Sequence, residues 1–217
     1  MNYFLSRLIS CRLCPRLVEY RESFPQDYWR KPVPPNGDVM AKIVIVGLAP
    51  AARGGNRTGR MFTGDKSANN LTWALYEAGL ANKPTSEHKD DGLLLKVYVT
   101  SAVKCVPPEN KPTSEEIRNC NAFLVDEIRM LKKAKVFIAL GRIAWDALLV
   151  AFKQLGYQVP KVSFAHGAEV LLRGEKDVWL LGSYHPSPRN VNTGKLSKEK
   201  LLQVILRAKE LAENSLP

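Results

Sequence analysis

The chain has 217 residues, of which 45% are hydrophobic and 24% are charged, as in an ordinary globular protein. This length allows one substantial hydrophobic core, so we expect a single domain over residues 1–217. No apolar run reaches the roughly 20 residues of a membrane span, and the first residues lack the pattern of a secretory signal. We therefore expect an intracellular monomer of the cytoplasm or nucleoid with no membrane partner.

Charge is the first feature that points to a partner. The 32 lysine and arginine residues outnumber the 21 acidic residues, which gives a formal net charge of +11. Such an excess favours a polyanion, because each phosphate that a basic side chain neutralises releases condensed counterions. A basic surface that only keeps the protein dissolved is the alternative, and charge alone does not separate DNA from RNA.

Four continuous apolar stretches predict buried strands, at residues 42–47, 95–100, 135–140 and 178–182. Helical patterns alternate with these strands, over about 68–79, 113–132, from 142 onward and about 197–213. The last helix is expected to cover the sheet. The alternation predicts the α/β class, as a three-layer α/β/α sandwich around a central four-stranded parallel sheet.

Three other segments have weaker patterns. Residues 2–22 predict short helical pieces, and residues 31–37 (KPVPPNG) predict a stiff loop in which neither helix nor strand can run. Residues 159–173 predict a small hairpin.

Three unusual loops follow the predicted strands, at residues 48–65, 101–112 and 183–194. Because the carboxyl ends of parallel strands meet at one edge of a sheet, we expect these loops to form one cleft. The first loop carries three arginines among its glycines, a composition that suits phosphate binding and close backbone approach. It contains neither GxxxxGK[ST] nor GxGxxG, which disfavours a nucleotide cofactor.

Two of these loops carry candidate functional side chains. Pro186 and Pro188 stiffen the segment around His185, because each restricts its own φ and the residue before it. In the motif Phe-Thr-Gly-Asp, Phe62 is either a core anchor or a stacking platform for a base, and Asp65 is either a helix cap or a carboxylate in the cleft. A lone histidine is often structural, and for His88 and His166 we expect that role.

Four cysteines form the remaining motif, Cys11, Cys14, Cys105 and Cys120. Their number and the CxxC spacing favour a tetrahedral zinc site or a [4Fe–4S] cluster over disulfides, which are rare inside cells. Spacing alone leaves zinc and iron–sulfur open. Because residues 2–22 and 101–120 carry few apolar residues for firm packing, we expect the site to be structural and to tie these segments together.

Three motifs and the four cysteines together strongly resemble the type 5 (class B) uracil-DNA glycosylases. The motifs are GLAPAARGGNRTGRMFTGD at 47–65, KCVPPENKP at 104–112 and HPSPRN at 185–190. The resemblance implies a uracil-DNA glycosylase-like fold and a [4Fe–4S] cluster on the four cysteines, with zinc as the less favoured occupant. It also implies excision of deaminated bases, uracil and hypoxanthine among them, from double- and single-stranded DNA in base excision repair.

The resemblance implies roles for particular residues. Residues 47–51 contain no acid where related glycosylases hold a polar or acidic group, so Asp65 is the implied replacement beside Asn110 and His185 in the catalytic set. The implied contacts to the base and to the flanking DNA are Gly47, Leu48, Ala49, Phe62, Asn190, Ser187, Arg189 and Arg57. Arg189 stands where an apolar wedge into the duplex is expected.

These roles imply a mechanism. His185 is expected to donate a hydrogen bond to the departing base, and Asp65 to stabilise the cationic sugar and to orient or deprotonate water. No lysine is singled out as a Schiff-base nucleophile, so a monofunctional glycosylase that leaves an abasic site is predicted. The cysteines and the charge alone also allow a non-catalytic iron–sulfur DNA-binding protein that senses redox state.

Overall fold

A computed structural model describes residues 1–214 of the chain. The helices are α1 (Asn2–Ile9), α2 (Pro15–Glu22), α3 (Gly55–Thr58), α4 (Lys66–Glu77), α5 (Ser114–Met130), α6 (Arg142–Gln154), α7 (Pro188–Asn192) and α8 (Lys198–Glu213). The strands are β1 (Asn36–Gly37), β2 (Ile43–Gly47), β3 (Tyr98–Ser101), β4 (Val136–Leu140), β5 (Glu169–Leu172) and β6 (Val178–Ser183). Within the described residues, no helix is both long enough and apolar enough to cross a bilayer.

The strands form one sheet in the order β1-β3-β2-β4-β6-β5. Strands β3, β2, β4 and β6 pair in parallel, which confirms the four predicted strands and their arrangement. Strands β1 and β5 add one antiparallel strand at each edge, so the sheet is wider than the four strands predicted.

The edge strand β1 corrects the prediction that residues 31–37 form no strand. It pairs antiparallel with β3, over two residues only. Gly37 has a φ of +102°, and a Cβ at this position would lie 2.0 Å from the carbonyl oxygen of Val97. The contact therefore requires glycine, which also explains why no strand-forming residues mark it.

The hairpin predicted within residues 159–173 is wrong. Strand β5 pairs instead with β6, the strand that follows it in sequence. The turn between them is closed by an ion pair of 2.8 Å between Arg173 and Asp177. The partner of β5 thus lies beyond residues 159–173, the segment for which a hairpin was predicted.

Helices cover both faces of the sheet. Helices α4 and α8 pack on the face that receives Ile43 and Ile45, and α5 and α6 pack on the face that receives Val44 and Phe137. Alternate residues of one strand therefore enter two separate cores, as expected for a strand that is buried on both sides. The three-layer arrangement and the role of the last helix are confirmed.

The N-terminal helices pack more firmly than predicted from their few apolar residues. Phe4, Leu8 and Leu17 are buried against Val103 and Phe123, and this third apolar cluster includes the four cysteines. The prediction that residues 2–22 and 101–120 lack the means to pack is therefore wrong.

A buried ion pair joins the loop after β3 to α5. Lys104 and Glu127 are each 1% exposed, and Nζ lies 2.6 Å from Oε2. Lys104 Nζ also donates to Thr100 Oγ1 and to the Ser101 carbonyl, while the Tyr98 and Thr100 hydroxyls donate to Glu127. The ammonium uses all three of its donors, so the charges are both paired and hydrogen-bonded.

We expect Lys104→Met to lower the free energy of unfolding by about 3–5 kcal/mol, because the buried Glu127 carboxylate keeps its two hydroxyl donors but loses the only opposite charge paired with it. The matched control is Lys111→Met, whose ion pair with Glu109 is 81% and 82% exposed. Urea unfolding of both variants measures the difference, and equal changes in the midpoint would contradict the assignment.

Candidate active site

The loops after the central strands meet at one edge of the sheet. The chain leaves β2 toward α4 on one face, and leaves β3 and β4 toward α5 and α6 on the other, which opens a crevice between their ends. A cavity of about 560 Å³ lies there. Its walls hold seven of the predicted site residues, Leu48, Ala49, Phe62, Asp65, Asn110, His185 and Ser187.

His185 presents a neutral imidazole to this cavity. Burial lowers the pKa of His185 to about 4, so the ring carries no charge at neutral pH. A neutral imidazole has one N–H donor and one acceptor nitrogen. The side chain can therefore donate a hydrogen bond into the cavity without bringing a full positive charge.

Hydrogen bonds from two asparagines fix the backbone of the His185 loop. Asn190 Nδ2 donates to the His185 carbonyl over 2.8 Å, and Asn70 Nδ2, on α4, donates to the Pro186 carbonyl over 3.0 Å. Ser187 caps α7 by accepting from the Asn190 N–H. Asn190 is not among the residues that line the cavity; its side chain holds the backbone of the His185 loop. Asn70 has the same supporting role, and the sequence did not predict it.

The other two histidines lie outside the cavity wall. His166 Nδ1 accepts from the Tyr184 N–H over 3.2 Å, and the two rings stack with centroids 5.1 Å apart. His88 is exposed in the loop before β3, where its backbone N–H donates to the Asp91 carboxylate. Both positions fit the structural role expected for them.

Phe62 lies on a strained turn against the end of β2. Its φ is +48°, in the left-handed region that non-glycine residues rarely adopt. A Cβ on Gly47 would approach two atoms of the Phe62 ring to 2.7 and 2.8 Å. Gly47 is not among the residues that line the cavity, but its lack of a side chain makes room for the Phe62 ring, which does line it. The Phe62 ring also stacks on His185, with centroids 5.9 Å apart.

A buried polar network holds the turn that carries Phe62. Arg60 donates to Thr63 Oγ1 over 2.8 Å, and to Ser86 Oγ and Asp91 Oδ1 over 3.0 Å each. Burial opposes ionisation of Asp91, but hydrogen bonds from backbone N–H groups and from Arg60 outweigh it and hold the pKa of Asp91 well below its usual range. Asp91 therefore stays charged and keeps Arg60 in place.

Asp65 is at once a helix cap and part of the cavity wall. Its Oδ1 accepts from the Ala68 N–H over 2.8 Å at the start of α4. Its Oδ2 lies beside Gly54, where a Cβ would approach it to 2.2 Å. Burial raises the pKa of Asp65, although the N–H groups of Ala68 and Ser67 and the charge of Arg57 oppose the rise. Both roles considered for Asp65 in the sequence are therefore present.

Asn110 reaches the cavity from the loop after β3. The loop forms a short 3-10 turn at Pro108–Asn110, in which Glu109 and Asn110 have φ values of +54° and +56°. Two left-handed residues in succession cost about 1–3 kcal/mol each, and such strain gathers at functional sites. The turn places the exposed Asn110 at the rim.

Two of the predicted DNA contacts lie away from the cavity. The Arg57 guanidinium donates to the carbonyls of Arg53 and Gly64, which holds the loop after β2 together. Arg189 is exposed on α7. Their contacts to phosphate stay predictions.

Lys66 and Ser67 line the cavity, and sequence analysis missed both. They are the first two residues of α4, directly after its cap Asp65. The sequence could have indicated them through the predicted cap Asp65. If Asp65 lies in the cleft, the first residues of the helix that it caps lie beside the cleft as well, with their unpaired N–H groups at that end.

The four cysteines, Cys11, Cys14, Cys105 and Cys120, are free thiols within one apolar cluster. Burial raises the pKa of Cys105 to about 11 and that of Cys120 to about 12, and neighbouring cysteines contribute to the rise in both cases. Arg21 Nη1 donates to Cys105 Sγ over 2.9 Å, and the Lys104 N–H donates to Cys120 Sγ over 3.3 Å. These donors would stabilise thiolates at a metal site.

The donor set fits the chemistry of either candidate group. Four thiolates are the usual ligands of a [4Fe–4S] cluster and also those of a tetrahedral zinc ion. Within residues 1–214, no three His, Cys, Asp or Glu side chains are arranged to hold one metal ion.

The chain is similar to known proteins over most of its length. Residues 34–209 match the model of the uracil DNA glycosylase superfamily. The type-5 uracil-DNA glycosylase of Pyrobaculum aerophilum is 50% identical, over 94% of this chain and 90% of that protein. The type-5 uracil-DNA glycosylase of Thermus thermophilus is 47% identical, over 96% of this chain and 97% of that protein. The type-4 uracil-DNA glycosylase of Archaeoglobus fulgidus is 31% identical, over 86% and 81%. The chain therefore belongs to the uracil DNA glycosylase superfamily, and its resemblance to the type-5 group is confirmed.

Proposed function

We propose that this protein excises uracil from DNA by hydrolysing the bond between the base and C1′ of the sugar, and leaves an abasic site. The observation that carries the proposal is the cavity at the ends of β2, β3 and β6. It joins an aromatic ring, a neutral imidazole donor and a carboxylate, which are the three groups that this reaction needs.

The nucleotide must first leave the stack, which costs a few kcal/mol and is easiest at mispaired lesions. Phe62 offers a ring face at the cavity wall on which the flipped base can stack. Leu48 and Ala49 add apolar surface beside it, and Asn110 supplies an amide at the rim. The backbone that carries Phe62 is fixed by the Arg60 network before DNA binds.

His185 handles the departing base. As the bond to C1′ breaks, negative charge grows on the base oxygen, and the His185 N–H donates a hydrogen bond to it. A donor that is placed in advance in a buried site contributes about 3 kcal/mol of transition-state stabilisation. The low pKa of His185 makes it a neutral donor, so it stabilises the anionic base without first transferring a proton to it.

Asp65 handles the sugar and the water. Its carboxylate stabilises positive charge at C1′, and it accepts a proton from the water that adds there. The water oxygen and one of its protons become the sugar hydroxyl. The other proton passes to Asp65 and then, through solvent, to the anionic base, which leaves as neutral uracil and returns Asp65 to its carboxylate form. Burial raises the pKa of Asp65 and so makes it a stronger base than an exposed aspartate.

The same cavity supports hypoxanthine as a second substrate. Most of the lining residues are apolar or glycine, and the polar ones are Asp65, Lys66, Ser67, Asn110, His185 and Ser187. Of these, Asp65 is assigned to the sugar and to water. A site with few groups that read the base edge discriminates weakly between a pyrimidine and a purine that both present a carbonyl oxygen.

Cys11, Cys14, Cys105 and Cys120 are proposed to hold a [4Fe–4S] cluster. A bound cluster supplies iron–thiolate bonds that cross-link the N-terminal helices to the loop after β3 and to α5. Because Asn110 lies on that loop, the cluster supports the cavity from outside and takes no part in the reaction.

We expect His185→Ala to lower the single-turnover rate of uracil release by about 10²–10³-fold, because the oxygen of the departing base loses its donor. His88→Ala, an exposed histidine in the loop before β3, is the matched control and keeps the full rate. The assay uses uracil- and hypoxanthine-containing duplexes, followed by alkali. Strand cleavage only after alkali marks a monofunctional enzyme. Binding without abasic product in the unaltered protein would favour the non-catalytic alternative.

We expect the rate to rise with pH as Asp65 loses its proton, in a range above the ordinary aspartate pKa of 3.8 because burial raises the pKa. Asp65→Asn removes this acid limb and lowers the rate by about 10²–10⁴-fold. Asparagine still accepts the Ala68 N–H, so the helix cap is kept and thermal unfolding changes little. An unaltered pH profile in Asp65→Asn would overturn the role of the carboxylate.

We expect purified protein to be brown and to contain iron and acid-labile sulfide in equal amounts. Cys120→Ser lowers both contents, because the cluster loses one of its four ligands. Zinc without iron in the unaltered protein would contradict the cluster assignment and leave the proposed excision of uracil untouched.

A further inference from the structure

We propose that a second cavity, beside the catalytic one, binds a backbone phosphate of the DNA strand outside the lesion. This cavity, the basic cavity, has a volume of about 510 Å³ and is lined by Arg12, Arg21, Glu22, Trp29, Arg30 and Lys31 among others. None of these residues was assigned a role from the sequence. The inference rests on the proposed action on DNA and adds a contact that the catalytic cavity does not include.

Charge favours an anion here. Four basic side chains line the basic cavity, and Glu22 is the one acidic residue among its lining residues. Arg12 holds Glu22 in a bidentate pair, with distances of 2.5 and 3.3 Å. Arg21 donates to the Cys105 sulfur, so Arg30 and Lys31 are the two basic residues whose charges no acidic lining residue and no cysteine offsets.

Two arginines of the basic cavity each have a guanidinium nitrogen that no protein acceptor satisfies. Arg21 is only 2% exposed, and two of its nitrogens donate to Cys105 Sγ and to the Cys11 carbonyl, but its Nε has no partner. Arg30 Nη2 donates to the Glu22 carbonyl, but its Nε also has no partner. Both Nε atoms are buried, and buried donors are nearly always paired, so neither guanidinium is satisfied by the protein alone. The planar fork of an arginine with spare donors matches a phosphate.

Position ties the basic cavity to the catalytic cavity. The backbone N–H of Trp29 donates to the Arg57 carbonyl over 3.2 Å, and the backbone N–H of Arg30 donates to the Asn56 carbonyl over 3.4 Å. Gly55, the residue before Asn56, lines the catalytic cavity. One segment of backbone therefore separates the two cavities, so a strand whose nucleotide enters one passes its phosphates close to the other.

The site suits a phosphate rather than a base. A stacked base would need a free face of the Trp29 ring, but the ammonium groups of Lys31 and Lys89 lie over that ring, 5.5 and 5.9 Å from its centroid. Gly59 packs so closely on the ring that a Cβ there would approach it to 2.9 Å. Arg30 itself has a φ of +56°, the kind of strain that is kept at binding sites.

The test is the salt dependence of DNA binding, measured by fluorescence anisotropy with a uracil-containing duplex in the Asp65→Asn background. Arg30→Gln/Lys31→Gln removes two charges from the basic cavity, and Lys31→Gln alone serves if the double variant does not fold. The matched control, Lys132→Gln/Lys133→Gln, removes two exposed charges from the loop before β4, at the opposite end of the sheet.

We expect the plot of log affinity against log salt to become less steep by about 1 in the Arg30→Gln/Lys31→Gln variant, the loss of one phosphate contact, and to keep its slope in the control. Replacing phosphates one at a time with neutral methylphosphonates should weaken DNA binding by the parent protein at one flanking position, and this effect should vanish in the variant.

Equal slopes in variant and control would overturn the proposal. The proposal would also be overturned if inorganic phosphate bound the basic cavity but the Arg30→Gln/Lys31→Gln variant kept the parent's slope of log DNA affinity against log salt. If the proposed function itself were wrong, the unaltered protein would fail to release uracil in the excision assay. That result is distinct from the two binding results that would overturn the phosphate site.

Discussion

The active site depends on the parallel pairing of β3, β2, β4 and β6. Parallel strands end at the same edge of a sheet, and the helices that follow β2 and its two neighbours leave to opposite faces. The segments that carry Asp65, Asn110 and His185 are far apart in sequence and meet only because of this arrangement. The buried Lys104–Glu127 pair stabilises one side of this arrangement, since it joins the loop after β3 to α5.

Polar contacts, more than apolar packing, set the geometry within the site. Arg60 and Asp91 hold the turn of Phe62, and Asn70 and Asn190 hold the loop of His185. Burial then shifts two pKa values in opposite directions, so that His185 is neutral and Asp65 is a stronger base. A donor for the departing base and an acceptor for water are thus ready in one cavity before substrate binds, which is the physical content of preorganisation.

Much of this arrangement follows from local sequence patterns. The β-branched runs predict the central strands, and the helical pattern over about 113–132 predicts α5. The motif that ends in Asp65 predicts either a helix cap or a carboxylate in the cleft, and the structure shows that Asp65 is both. The edge strand β1 was missed because its pairing depends on a distant partner, as the close approach of Gly37 to Val97 illustrates. Strand β5 was missed because it pairs with β6, which follows it in sequence but lies beyond residues 159–173. Asn70 and the basic cavity were missed for the same reason: no spacing along the chain relates Asn70 to Pro186, or Arg30 to Asn56.

The central claim is that one cavity divides the work between His185, at the base, and Asp65, at the sugar. A crystal structure of the Asp65→Asn variant with a uracil-containing duplex tests it most directly. The account predicts that uracil lies in the cavity with its face on Phe62, that a carbonyl oxygen of uracil accepts a hydrogen bond from His185, and that position 65 faces C1′. A uracil bound away from Phe62, or one whose carbonyl oxygens do not contact His185, would contradict it.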